Sequence, residues 1–210
     1  MPRFFVENDS IFSDRISIGG EDAKHISLSL RSRVGEKITV CDSVGNDYQC
    51  EIVNITKNEV TLSVIEKKEG SSEPSLEVTL YQSLVKSDKF DFIVQKCTEL
   101  GVSRIVPVIT ERCISKPDKA SLLNKIQRWN KIAREAAMQS GRCRIPLVEN
   151  ALSFDGALEA IKKSDCGFVC YENEPHMPIN QLYGMCTKPN NAAFLVGPEG
   201  GISDLEAERA

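Results

Sequence analysis

The residues that suggest chemistry gather at Gly197-Pro198-Glu199-Gly200-Gly201, between the apolar run Ala192–Val196 and the pair Ser203 and Glu206. Glycines tolerate positive φ and let a ligand approach the backbone closely. Ser203 and Glu206 form S-x-x-E, the signature of a capping box, so a helix begins there. Strand, glycine turn and helix start is how α/β proteins build ligand sites. Phosphate suits this turn poorly. It matches neither G-x-x-x-x-G-K-[ST] nor G-x-G-x-x-G, Pro198 lacks an N–H donor, and Glu199 places negative charge where phosphate would sit. Hydroxyls or a positively charged group fit better. A tight turn with no ligand accounts for the same residues, because glycine and proline are ordinary loop punctuation.

A second cluster, Cys166, Cys170, His176 and Cys186, could in principle hold zinc, but its spacing matches no standard zinc pattern. Cysteines buried on a strand explain it better, and no metal is expected. The eight cysteines lack C-x-x-C pairs. No apolar run approaches the ~20 residues of a membrane span, and the N-terminus lacks the apolar core of a signal peptide. These features predict reduced thiols in a cytoplasmic protein with no membrane partner. The net charge of −4 argues against a general nucleic-acid binder, yet ten basic residues stand against three acidic ones between Arg104 and Arg144. That excess is either a polyanion footprint or a solvated helix face.

The elements that must position these residues fall into two textures. Residues 1–72 read as short strands, Arg3–Val6, Arg15–Ile18, Lys37–Cys41, Tyr48–Ile55 and Val60–Glu66, around one helix from Glu21 to Arg31. Their spacing suggests a small barrel. His25, beside Lys24 and near Arg31 and Arg33, is a possible phosphate contact, although a surface side chain is the plainer reading. Glu66 to Pro74, charged, then small, then proline, reads as a linker and sets the domain boundary. From residue 73 onward strands and helices alternate. Leu76–Leu84, Ile105–Ile109, Gly167–Tyr171 and Ala192–Val196 read as strands, and Asp88–Leu100, Pro117–Ser140 and Phe154–Lys163 as helices. Leu122, Ile126, Trp129, Ala133 and Ala136 form the apolar stripe of the long helix, which makes Trp129 core rather than a stacking platform for bases. The alternation implies a mainly parallel sheet covered on both faces.

Several short motifs together resemble one family. They are Met1-Pro2-Arg3-Phe4-Phe5-Val6; His25 followed by Leu30-Arg31 and Gly35; Lys96-Cys97-Thr98-Glu99-Leu100-Gly101-Val102; Glu111-Arg112; Arg128-Trp129; Glu135-Ala136-Ala137 with Gln139-Ser140 and Arg142; and Gly197-Pro198-Glu199-Gly200-Gly201. In this order along the whole chain they resemble the bacterial 16S ribosomal RNA (uracil-N3)-methyltransferases, the RsmE-like group of the SPOUT superfamily. The resemblance implies an α/β fold class. A PUA-like RNA-binding β-barrel (1–72) is followed by a SPOUT-type methyltransferase domain (73–210) carrying a trefoil knot. It also implies S-adenosylmethionine as cofactor, 16S ribosomal RNA or the small subunit as partner, and a homodimer. In the family the cofactor lies at the glycine turn, here Leu195, Gly197, Pro198, Glu199, Gly200 and Gly201, near Tyr171 and Glu172, and against a last C-terminal segment. The sequence stops at Ala210 without that segment. The resulting expectation is an incomplete knot and weak or absent cofactor binding by these residues alone, which micromolar binding in a calorimetric titration would exclude. It keeps open an alternative, an RNA- or ribosome-binding protein without catalysis.

Methylation of uracil N3 requires that its proton leave while charge spreads to two flanking carbonyl oxygens, which a cation would stabilise. On this reading Arg142 holds the target base or its phosphate, and Gln139, about one turn earlier, assists. Capping of a helix C-terminus explains both residues nearly as well. Glu199 is expected to shape the turn and is not assigned as the base. Lys96 and Glu99 read as an ion pair supporting the fold. Arg3, Arg31 and Arg33 from the first domain and Arg112, Arg128 and Arg134 from the second are the expected phosphate contacts, which position RNA without naming a base.

Overall fold

The computed structural model describes residues 2–70, 72–114, 116–173, 181, 186 and 188–210. The chain divides into two compact units: Met1–Glu73 with Ala137–Ile145, and Pro74–Ala136 with Pro146–Ala210. Each is taken by itself.

In the first unit, β1 (Arg3–Phe5), β2 (Ile11–Phe12), β3 (Arg15–Gly19), β4 (Lys37–Cys41), β5 (Asn46–Ile55) and β6 (Glu59–Glu69) form one sheet in the order β1-β4-β5-β6-β3-β2. Only β1 and β4 run parallel; the other pairs are antiparallel. The expected small barrel is a curled half-barrel whose described strands form an open path. Alternation drives the curl: Tyr48, Cys50 and Ile52 on β5 and Val60 and Leu62 on β6 point into a core with Phe4, Ile16, Ile18, Ile38 and Val40. Residues Ala137–Ile145 join this unit because Ala137 and Cys143 pack against Phe5 and Cys41.

Two expectations fail here. Residues Glu66 to Glu69, read as linker, are the end of β6, with Lys67 opposite Tyr48 and Glu69 opposite Asn46. The ten-residue β5 keeps offering backbone partners, and the Lys67 ammonium lies 5.3 Å from the Tyr48 ring, so polar composition does not end the strand. The helix expected from Glu21 to Arg31 is α-helical only over α1 (Gly20–Lys24), then widens into a π-type turn over His25–Ser29. Ser27 Oγ bonds back to the Ala23 carbonyl at 2.9 Å, a contact that bends helices, and Arg31 at φ +53° stops the coil.

The second unit is a parallel sheet of β7 (Glu77–Ser83), β8 (Arg104–Ile109), β9 (Leu147–Val148), β10 (Leu152–Ser153), β11 (Cys166–Cys170) and β12 (Asn191–Val196). The order is β10-β8-β7-β12-β11, with β9 also on the edge of β8. On one face α2 (Ser87–Glu99) and α3 (Lys119–Ser140) contribute a stack of Phe90 on Trp129, ring centroids 4.0 Å apart, and bury Val94, Ile126 and Ala133. On the other, α4 (Phe154–Ile161) packs Phe154, Ala157, Leu158 and Ile161 against Val106, Val108, Ala193 and Leu195. The β-branched and apolar runs of β8 and β12 suit strands covered on both faces. Asn130 on α3 fixes the sheet's edge: its amide accepts from the Val148 N–H at 3.0 Å and donates to the Val148 carbonyl at 2.9 Å.

Cysteine chemistry departs from expectation at one pair. Cys166 and Cys186 form a disulfide, while Cys41, Cys50, Cys97, Cys113, Cys143 and Cys170 are free thiols. Cys166 lies opposite Ala192 in the β11–β12 register, so the chain returning to β12 brings Cys186 near, at a Cα separation of 5.7 Å. His176 lies outside the described residues.

Candidate functional site

β7 and β8 pair on one side, and β7 and β12 on the other, so the strand order reverses between β7 and β12. In open α/β sheets ligands bind at the carboxyl ends of the strands beside such a reversal. The Gly197–Gly201 turn leaves β12 at that point and leads through Ser203 into α5 (Asp204–Ala207), which begins with a complete capping box. The expected helix start is therefore observed.

Every neighbouring strand end sends a group to this turn. From β7, buried Gln82 donates from Nε2 to the Ser83 carbonyl at 3.1 Å and the Gly197 carbonyl at 3.4 Å. Beyond β7, the Lys86 N–H lies 3.5 Å and the Lys89 ammonium 3.2 Å from Glu199 Oε1. Glu199 is held below the usual carboxylate range, first by its own backbone N–H and then by Lys89. Beyond β8, Arg112 donates from Nη1 to the carbonyls of Gly200 at 3.0 Å and Ile202 at 3.3 Å. Glu111 accepts from Ser203 Oγ at 2.6 Å, and its backbone N–H donates to Glu206 Oε1 at 2.9 Å. The Glu206 carboxylate is buried yet satisfied, since its Oε2 also takes the Ser203 N–H at 3.3 Å.

Beyond β11, Tyr171 donates its hydroxyl to Asp204 at 2.7 Å and accepts from Asn173 at 3.3 Å. The Asn173 bond favours the phenolate, but Asp204, desolvation and the Glu172 charge together outweigh it and the Tyr171 pKa rises. Tyr171 also lines a 560 Å³ cleft with Leu158, Ile161, Phe168, Val169 and Ala207. The Glu172 carboxylate lies where a Cβ on Gly201 would project, and Gly201 itself has φ +69°. Gly201 is thus required twice, by its backbone and by its neighbour. Gly197 is close-packed too: a Cβ there would stand 3.1 Å from the Gly201 carbonyl carbon and the Ile202 nitrogen. Pro198 is buried and accepts the Gly201 N–H at 2.9 Å. Leu195 is fully buried in the core, between its sheet partners Val169 and Tyr81. The fold thus brings the expected residues Tyr171, Glu172, Leu195, Gly197, Pro198, Glu199, Gly200 and Gly201 to one end of one sheet. It adds Gln82, Lys86, Lys89, Glu111, Ser203, Asp204 and Glu206. Of these the S-x-x-E spacing gave a signal only for Ser203 and Glu206.

The expected cations are placed differently. In the first unit Arg142 is 4% exposed, and its guanidinium meets Glu73 at 2.5 Å through Nη2 and 3.3 Å through Nε. Glu73 also accepts the N–H groups of Cys143 and Arg144, both at 3.0 Å. Burial pushes the Glu73 pKa up, but Arg142 and these N–H groups outweigh it and hold the carboxyl below its usual range. Arg3 is likewise engaged, bidentate on Asp47 at 2.7 and 2.8 Å and 2.5 Å from the buried Cys41 Sγ. Burial, with Asp47 beside it, pushes the Cys41 thiol pKa upward. Gln139 is exposed. His25, Arg31 and Arg33 are exposed, and among the described residues no hydrogen bond or ion pair engages the side chain of Arg31 or Arg33. In the second unit Arg128 pairs with Asp91, which also accepts from Trp129 Nε1 at 3.1 Å; Arg134 is half-buried. Lys96 and Glu99 form the expected ion pair at 2.7 Å. Among the described residues no cluster of histidine, cysteine and carboxylates could hold a metal, and no helix is long and apolar enough to cross a membrane.

The chain matches two family models that define a class. Residues 72–210 match an RNA methyltransferase domain, and residues 18–65 match an RNA methyltransferase PUA domain. Ribosomal RNA small subunit methyltransferase E of Bacillus subtilis (strain 168) is 32% identical over 100% of this chain and 84% of its own length. The Synechocystis protein of that name is 27% identical over 99% of this chain and 67% of its own. A ribosomal RNA small subunit methyltransferase E from Neisseria gonorrhoeae, solved bound to S-adenosyl methionine, superposes with a TM-score of 0.84. It is 29% identical and is matched over 100% of this chain and 84% of its own. The chain belongs to the ribosomal RNA small subunit methyltransferase E family.

Proposed function

We propose that this protein transfers a methyl group from S-adenosylmethionine to the N3 nitrogen of one uridine in 16S ribosomal RNA. It acts in the cytoplasm as a homodimer, on RNA of the small subunit. The observation that carries the reading is the glycine turn at the strand-order reversal, ringed by groups from each neighbouring strand end. The donor set fits such a cofactor. Anionic Glu172 and Glu199 and a turn without an N–H at Pro198 disfavour phosphate and favour a cationic ligand with hydroxyls. Glycines 197, 200 and 201, with Tyr171 and Glu172, would hold it, and the apolar cleft beside Tyr171 can take up an unsaturated ring. When bound, the sulfonium supplies an electrophilic methyl group.

The chain's own residues supply binding and orientation. Glu199, fixed by Lys89 and the Lys86 N–H, shapes the turn and is not the proton acceptor. Arg31, Arg33 and His25 meet RNA phosphate from the first unit, and Arg134 and exposed Gln139 are further contacts. Arg142 we assign to positioning: tied to Glu73, it fixes the segment that carries Gln139. Arg3 and Arg128 serve similarly within their ion pairs. The experiment is primer extension on 16S RNA from a strain that lacks this methylation and expresses this protein. A methyl on N3 blocks base pairing, so an arrest at one uridine is expected. Absence of any arrest, with the protein still bound to small subunits, would instead favour a binding protein without catalysis.

A further inference from the structure

We infer that Glu111-Arg112 is a clamp that holds the glycine turn in its cofactor-binding shape, and that Arg112 is a positioning residue rather than an RNA contact. The inference rests on the proposed cofactor reading. It starts from peptide planes. A turn rich in glycine has little intrinsic shape, because glycine loses more conformational freedom on ordering than any other residue. A peptide plane is fixed when both its carbonyl and its N–H are held. In the Gly200–Gly201 plane, Arg112 Nη1 holds the carbonyl at 3.0 Å and the Pro198 carbonyl accepts the N–H at 2.9 Å. In the Ile202–Ser203 plane, the same Nη1 holds the carbonyl at 3.3 Å and Glu206 Oε2 accepts the N–H at 3.3 Å. One nitrogen therefore locks two planes. Between them lies the Gly201–Ile202 plane, whose carbonyl and N–H have no hydrogen-bond partner among the described residues. Its direction is set by the fixed planes on either side; its N–H belongs to fully buried Ile202, and its carbonyl to half-buried Gly201, the side from which a ligand would meet it.

The clamp is itself braced. The turn Thr110–Cys113 closes on a Cys113 N–H bond to the Thr110 carbonyl at 3.2 Å, and Cys113 Sγ lies 3.1 Å from Thr110 Oγ1. Glu111 is tied on its other side by Ser203 Oγ and, through its N–H, by Glu206. The Arg112 stem runs beside Gly200, where a Cβ would sit 3.5 Å from the Arg112 Cβ. Two carbonyls hold Nη1, so turning that nitrogen to a phosphate would give up both bonds.

Two measurements on Arg112→Ala and Arg112→Lys decide the matter: S-adenosylmethionine titration with steady-state kinetics, and binding to 16S RNA at several salt concentrations. Arg112→Ala is expected to weaken S-adenosylmethionine binding about tenfold, equivalent to about 1.4 kcal/mol. The KM for the cofactor should rise in proportion and kcat should change little, since binding is what is lost. RNA affinity and its salt slope should stay as in the wild type. Lysine, one bond shorter, should fail to restore the cofactor KM, whereas it would restore a simple phosphate contact. A salt slope reduced by about one in Arg112→Ala, whatever the cofactor does, overturns the inference. So does unchanged cofactor affinity. Should the alanine variant unfold, as a thermal melt would reveal, the lysine variant carries the same readings. Wild-type protein that binds no S-adenosylmethionine overturns the cofactor reading, whereas wild-type binding with an indifferent Arg112 overturns only the clamp.

Discussion

Arg142 in the first unit and Arg112 in the second stand in one basic stretch of sequence, and the fold uses them in opposite ways. Arg142 is buried, faces a carboxylate, and with Glu73 gathers two backbone N–H groups into one closed knot of charge. Arg112 is exposed, bonds two backbone carbonyls, and organises the glycine turn through them. The first arrangement closes on a counter-charge; the second shapes backbone. Charge in a sequence therefore counts cations but not available cations. What separates the two cases is whether a carboxylate has been brought to the same place.

The comparison breaks most sharply at Arg142. Removing one partner of a buried ion pair leaves the other charge uncompensated, so Arg142→Ala is expected to lower unfolding free energy by about 3 kcal/mol in urea melts. A loss under about 1 kcal/mol would mean the pair behaves like one on the surface. In the second unit, Gly201→Ala places a β-carbon at φ +69°, a strain of about 1–2 kcal/mol. It also collides with Glu172, so loss of cofactor uptake should exceed loss of stability. An equal loss in both would show that the turn is structural only.

A pH titration sharpens the contrast. The folded pKa of Glu73 is depressed, so its stabilisation is present above the ordinary carboxylate value of about 4.3 and is lost as pH falls through the lower folded value. Glu73→Gln should therefore flatten the acid limb of stability against pH, while leaving stability near neutral pH reduced. An acid limb as steep as in the wild type would remove Glu73 from the account. The smallest effect is expected at Arg31 and Arg33. Alanine at either should change stability by no more than about 0.5 kcal/mol. It should nonetheless lower the salt slope of RNA binding by about one. The Arg31 substitution has one qualification, since its positive φ makes glycine the gentler replacement.

Much of this was legible in the sequence because the signals were local. The stripe from Leu122 to Ala136 fixed which face of α3 is covered, and S-x-x-E fixed where α5 starts. Glycine and proline marked the turn. The failures share a cause of another kind. Glu66 to Glu69 are polar and still strand, because a partner strand reaches that far. Arg3, Arg112, Arg128 and Arg142 look like surface cations until Asp47, the turn carbonyls, Asp91 and Glu73 arrive from between 37 and 90 residues away. Cys166 and Cys186 meet because parallel strands bring a returning chain back to its start. No window of neighbouring residues contains such information.

Asn130 carries a last consequence. Its amide answers both backbone groups of Val148, as an adjoining strand would, and its Nδ2 also reaches the Ile126 carbonyl at 3.0 Å. The outermost strand here is thus met by a side chain that imitates a peptide bond. A foreign strand seeking that margin finds Val148 already taken, so the helix that builds the core also guards the sheet against self-association.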